Sequence, residues 1–213
     1  MKKENMMIVL NSIVTLIMYF GWIILTQLIF SSGITSTNFI ISFFVSILFL
    51  ILFVFQYRIK LKNDYQTFLK NKYYTKIFIS YITIIAIFLV VIGIMKIYDF
   101  DYTNNILDEI NLMPFAGLFK VLIFAPIVEE IVFRASFKNA IKQKSLFILV
   151  SSLIYGFLHI AFIGITITTL IGAIPFALCG LILSYIYLKY DNLVLNILVS
   201  FLCNISFLLV LLI

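Results

Sequence analysis

The chain is predicted to be an all-α, polytopic transmembrane bundle of about seven helices, and three observations carry that expectation. Of its 213 residues, 64% are hydrophobic and 11% charged, and the mean hydropathy is +1.19, far from the balance of water-soluble domains. The apolar residues gather in runs, most of them near the ~20 residues that a spanning helix needs. Basic residues collect in alternate connections between those runs, as they do when successive helices cross a bilayer.

The apolar runs cover residues 7–30, 39–57, 77–97, 115 to about 141, 145–162, 164–187 and 192–213. A helix satisfies its own backbone in lipid, so each run is read as a helix, and all of them as one integral membrane domain, 1–213. Lys2 and Lys3 precede the first run, but it exceeds the ~7–15 residues of a signal-peptide core and ends without a small-x-small cleavage site, so it is expected to be retained. Arg58, Lys60, Lys62, Lys70, Lys72 and Lys76 fill the second connection, read as a solvated loop over 58–76. Lys138, Lys142 and Lys144 fill the fourth, and Lys189 lies in the sixth. The third carries Asp99, Asp101, Asp108 and Glu109 instead. The positive-inside rule then places the N-terminus in the cytoplasm of a multi-pass cell-membrane protein. The net charge of +6 reads as topology and attraction to anionic lipid, with no nucleic-acid partner. Within 104–113, Ile106, Leu107, Ile110 and Met113 recur at helical spacing opposite Asp108 and Glu109, as in a short interfacial helix that seats the next span. Cys179 and Cys203 fall inside apolar runs, match no disulfide or metal spacing, and are read as packing.

Against this background the polar residues of the fourth run stand out. Glu129 and Glu130 follow one another in an otherwise apolar segment. A charge at bilayer depth costs on the order of 3 kcal/mol, so such a pair marks a functional site by default. Glu130 and Arg134 are i and i+4 with the acid first, the better order for a helical ion pair, and form a structural brace. Glu129 is turned about 100° away and meets Phe133 one turn on, so no local cation neutralises it. The single histidine, His159, lies in the fifth run one turn after Tyr155.

Depth gives a test of whether these groups can meet. If the fourth helix continues past Arg134 to about Ile141, Glu129 lies ~18 Å from its basic end, and His159 lies ~21 Å from the start of the fifth helix near Ser145. In the last run Asn196, Ser200 and Asn204 recur every four residues and form a stripe toward the bundle interior. Counted from Asn192, Ser200 and Asn204 lie ~12 and ~18 Å deep. A carboxylate beside an imidazole can activate water as general base, with amide or hydroxyl donors stabilising an oxyanion. The alternative is a water activated by a divalent metal such as zinc, for which Glu129 and His159 are the good ligands and Asn204 a poor third.

Glu129-Glu130-x-x-x-Arg134, followed some 30 residues on by an aromatic-x-x-x-His in a membrane helix, resembles the CPBP intramembrane proteases, related to the CAAX prenyl endopeptidases and bacterial Abi proteins. The resemblance covers about 115–210, which it marks as a CAAX-protease-like core. It implies a catalytic role for Glu129, a second motif, usually Phe-x-x-x-His, at Tyr155 and His159, and a third, usually His-x-x-x-Asn, at Ser200 and Asn204, where serine replaces the second histidine. The implied activity is hydrolysis of peptide bonds in membrane-associated peptides or proteins, with roles in bacteriocin self-immunity or signalling-peptide maturation among bacterial relatives. Glu129, His159 and Asn204 are then the catalytic candidates, with Glu130, Arg134, Tyr155 and Ser200 in support. Ser200 also leaves open a catalytically impaired membrane protein that binds a partner.

Overall fold

The computed structural model describes residues 2–31, 33, 35–97, 110–160 and 166–211. Its seven long helices among these residues are α1 (Lys2–Phe30), α2 (Ser36–Asn71), α3 (Tyr74–Ile97), α4, α5 (Lys144–Ile160), α6 (Ile167–Tyr190) and α7 (Leu193–Leu211). Helix α4 runs unbroken through five segments from Pro114 to Ala140, the residue at every junction keeping right-handed helical geometry. It therefore continues past Arg134, as the depth argument required.

Two stretches of α4, Lys120–Phe124 and Glu130–Ser136, are π-helical. The first has a local cause. Pro126 would clash with the carbonyl one turn back, and the widened turn, in which the Ala125 amide donates to the Lys120 carbonyl, makes room. The second coincides with a run, Glu130 to Phe137, in which every residue is buried. A helix covered on all sides belongs at the centre of its bundle, and α1, α6 and α7 all pack against this stretch.

Helices α5 and α6 form the tightest pair, antiparallel and backbone to backbone. A Cβ at Gly156 would stand 2.8 Å from the Ala177 amide nitrogen, and one at Gly180 would stand 3.0 Å from the Ser152 Cα. Only glycine permits this approach. Helix α6 is capped at Thr166 by a reciprocal bond with Thr169, and Asn192 caps α7 by accepting from the Leu195 amide at 2.8 Å.

The 58–76 connection is corrected: α2 stays helical through Asn71. No Gly or Pro interrupts that stretch, its Lys, Leu and Gln are good helix formers, and Asp64 and Phe68 are buried on one face. The extension is anchored rather than solvated, because Asp64 accepts the Leu193 amide at 2.7 Å and its backbone carbonyl accepts from the Asn192 side chain at 2.7 Å. The proposed interfacial helix at 104–113 lies mostly outside the described residues. Its visible end, Ile110, sits on α4 where a Gly117 Cβ would meet the Ile110 Cα at 3.1 Å.

Met6–Phe30, Ser36–Asn71 and Thr169–Tyr190 are long and apolar enough to cross a membrane, and Tyr74–Val90, Lys144–Ile160 and Leu193–Leu209 are apolar but shorter. Large hydrophobic side chains stand exposed along α1, α2 and α3, among them Ile17, Phe44 and Phe78, the surface expected of helices facing lipid. Lys60, Lys142 and Asp191, from alternate connections, meet at one end of the bundle.

Candidate active site

A cavity of about 230 Å³ opens inside the bundle beside the first π-turn of α4. Glu129, Tyr155, His159, Ser200 and Asn204 all line it. They reach it from three helices: α4 for the glutamate, α5 for Tyr155 and His159, α7 for Ser200 and Asn204. Glu130 and Arg134 do not line it. Both are fully buried on another face of α4.

The orientation of His159 is fixed on several sides. Its ring stacks on Phe176 at 4.3 Å with planes 15° apart and leans on Tyr155 at 4.5 Å. Its Nδ1 lies 2.8 Å from the Tyr155 backbone carbonyl. A carbonyl only accepts, so Nδ1 carries the proton and Nε2 the lone pair. The Tyr155 hydroxyl lies within hydrogen-bonding reach of the Glu129 carboxylate. Glu129 thus has a neutral partner, one that spacing along its own helix does not reveal. Asn204 donates one amide hydrogen to the Val121 carbonyl at 2.8 Å, in the π-turn, which holds the amide in place at the cavity wall.

Beneath the cavity the brace takes shape. Arg134 Nε lies 3.3 Å from Glu130 Oε2, an ion pair short of an aligned hydrogen bond. Asn196 donates to the same oxygen at 3.0 Å and to the Leu183 carbonyl at 2.8 Å, so the first member of the α7 stripe serves the brace and the next two face the cavity. Arg134 Nη1 donates to Ser151 at 3.3 Å, and its guanidinium lies 4.8 Å from the Tyr155 ring. Tyr155 therefore touches both parts: its ring rests on the brace and its hydroxyl reaches Glu129. Only its aromatic character was legible from its motif position.

Sequence reasoning missed the contribution of α1. Tyr19 and Trp22 also line the cavity, and Trp22 is pinned by donation to Ser46 at 3.1 Å. Lys120, Cys179 and Cys203 line it as well. For the cysteines, buried and unbridged, packing is thus only part of the description. No periodicity separates Trp22 from the other apolar residues of α1.

Residues 111–206 match the family model Rce1-like, the type II CAAX prenyl endopeptidases. This stretch of the chain is Rce1-like. The resemblance drawn from the short motifs between Glu129 and Asn204 is thereby shown, over nearly the span expected for it, and the match indicates a membrane protease. No curated protein and no solved structure matches the chain.

A resident metal does not fit the donor set. Zinc normally takes three protein ligands at a catalytic site, and among the described residues no three His, Cys, Asp or Glu side chains are grouped to hold an ion. Asn204 has one amide hydrogen committed to Val121, and Ser200 is a weak ligand.

Proposed function

We propose that the chain is an intramembrane endopeptidase that hydrolyses a peptide bond of a membrane-associated peptide or protein, with Glu129 as the base that activates water. The observation that carries this reading is the placement of Glu129, His159 and Asn204 on one cavity within an Rce1-like segment.

The groups divide the labour as follows. A water between Glu129 and His159 offers one hydrogen to the carboxylate and the other to the Nε2 lone pair, so both groups aim its oxygen. Glu129 removes a proton as the oxygen attacks the scissile carbonyl, and a C–O bond forms. The second amide hydrogen of Asn204 stabilises the negative oxygen. Collapse breaks the C–N bond, and the proton held by Glu129 passes to the departing nitrogen. Tyr155 orients the carboxylate, and the Glu130–Arg134 brace holds the helix beneath it. The aromatic side chains of Tyr19, Trp22 and Phe176 that line the cavity suit an apolar stretch of substrate. Of the biological settings, self-immunity to an amphipathic peptide and maturation of a signalling peptide are preferred to a prenylated protein by resemblance to bacterial relatives, since the apolar lining suits either kind of chain.

Purified protein in lipid vesicles, challenged with membrane-associated peptides, tests the reading. Turnover that is slow, insensitive to chelators, and lost in Glu129→Gln is the expected result. Ser200→His, which restores the family's usual third motif beside the cavity, should raise the rate. Ser200, 2% exposed, is also the observation behind the second reading, a family member that binds a partner without cleaving it. Full biological function in a Glu129→Gln, His159→Ala variant would favour that reading. The end of the bundle carrying Lys60 and Lys142 is assigned to the cytoplasm; labelling of an Asp101→Cys variant from the cytoplasmic side alone would reverse it.

A further inference from the structure

We propose that a second cavity, at the basic end of the bundle, binds the phosphate-bearing headgroup of an anionic lipid. It has a volume of about 380 Å³ and is lined by Lys60, Lys138, Lys142, Lys144, Tyr187 and Asp191, among others. Four ammonium groups therefore face one lining carboxylate, and Lys60 also meets a second, Asp64, at 3.2 Å. The lining carboxylate is spoken for: Lys138 lies 2.8 Å and Lys60 3.4 Å from Asp191 Oδ1. The same two ammoniums stand 5.0 and 5.5 Å from the centre of the Tyr187 ring, which is 1% exposed and forms the floor. Asp191 holds φ at 45°, a left-handed conformation that few side chains adopt readily, and in doing so places its carboxylate between two lysines from different helices.

Lys142 and Lys144 have no ion-pair partner among the described residues. An uncompensated pair of cations at the mouth of a cavity already holding two more is a site for an anion. Lysine suits phosphate as a compact point charge, and α5, which begins at Lys144, adds the positive end of its dipole at the rim. Basic pockets between helix ends at the headgroup level are where anionic lipids are held.

A lipid, rather than phosphate alone, is favoured by the setting of the cavity. It lies at the end of a bundle whose flanks expose large apolar side chains, Leu146, Leu149, Leu153 and Phe157 of α5 among them, so a headgroup held there has its acyl chains in the surrounding lipid.

The test is native mass spectrometry of the full chain in detergent, titrated with phosphatidylglycerol, with phosphatidylcholine, and with inorganic phosphate. Phosphatidylglycerol is expected to bind at least about ten-fold more tightly than phosphatidylcholine. Lys142→Gln with Lys144→Gln should weaken it about twenty-five-fold, since each lysine near an anionic headgroup contributes roughly a factor of five. Both side chains are exposed, so the thermal midpoint of the variant without lipid should equal that of the parent. Equal binding of the two lipids, or unchanged phosphatidylglycerol binding in the variant, would overturn the site. Displacement of the lipid by millimolar inorganic phosphate, bound as well without an acyl chain, would overturn the lipid assignment and leave a phosphate site.

Discussion

Glu129 and Glu130 are the same residue type, joined by one peptide bond, yet they occupy opposite kinds of environment. Glu129 is half-buried and faces a cavity, with a tyrosine hydroxyl in reach and no cation paired to it among the described ion pairs. Glu130 is fully buried, held by Arg134 and by Asn196. One residue of helical rotation separates the cavity-facing carboxylate proposed as the base from one enclosed in the brace. Pairing decides the difference, because a buried charge is tolerated only when compensated.

Substituting each glutamate in turn breaks the comparison most directly. Glu129→Gln keeps the shape and removes the base, so turnover should fall about 10²–10⁴-fold, the usual weight of a general base, while the unfolding midpoint barely moves. Glu130→Gln should do the reverse to stability, costing about 3–5 kcal/mol, because Arg134 is left charged and unpaired in the interior. Unfolding in a denaturing detergent series measures the second effect. The double variant Glu130→Gln, Arg134→Met should recover part of the loss, since removing both charges leaves no orphan. An equal loss of stability in Glu129→Gln would mean that the two carboxylates share one structural role.

Much of this contrast was legible in the sequence. The i, i+4 order of Glu130 and Arg134 and the four-residue stripe of Asn196, Ser200 and Asn204 are periodic signals, and periodicity survives folding wherever the helix is regular. The site residues of α4, α5 and α7 therefore appear on one cavity, as their depths suggested. Tyr155 as the neighbour of Glu129 was not legible, since it comes from another helix and depends on how closely α5 packs. Nor were the π-turns, because an α-helical count assumes one hydrogen-bond pattern throughout. The second connection was misread for a different reason: Lys-rich composition signals solvent, whereas Asp64, one residue within it, anchors the start of α7. Trp22 and Tyr19 escaped notice because nothing local distinguishes a cavity-lining aromatic from a lipid-facing one.

The closeness of α5 to α6 sharpens the comparison, since it sets where Tyr155 and His159 stand relative to Glu129. Gly156→Ala would place a Cβ 2.8 Å from both the amide nitrogen and the Cβ of Ala177. The obstacle is largely backbone, so the helices must part, with an expected cost of about 1–3 kcal/mol. Turnover should fall more than stability alone explains, because Tyr155 is the preceding residue. A rate unchanged at full folding would separate the α5–α6 contact from the alignment of the site.

The smallest effect belongs to a third carboxylate, which repeats the pairing of Glu130 in water. Asp191 meets Lys138 at 2.8 Å and Lys60 at 3.4 Å, but its side chain is 63% exposed. Its partial burial pushes the carboxyl pKa up, and the bond and charge of Lys138 together with Lys60 outweigh this, so the net direction is below the ordinary value. A carboxylate whose pKa is lower folded than unfolded adds stability above the unfolded value, and loses it as the pH falls through the folded one. Stability should thus decline on acidification below the ordinary aspartate range, near 4, and Asp191→Asn should remove that part of the decline. Exposure and salt screening hold the contribution to about 0.2–1 kcal/mol, and raising the ionic strength should shrink it further. The Glu130–Arg134 contribution, out of reach of salt, should stay the same across that series. Equal salt sensitivity of the two pairs would show that water enters the brace and that the boundary between Glu129 and Glu130 is less sharp than their burial indicates.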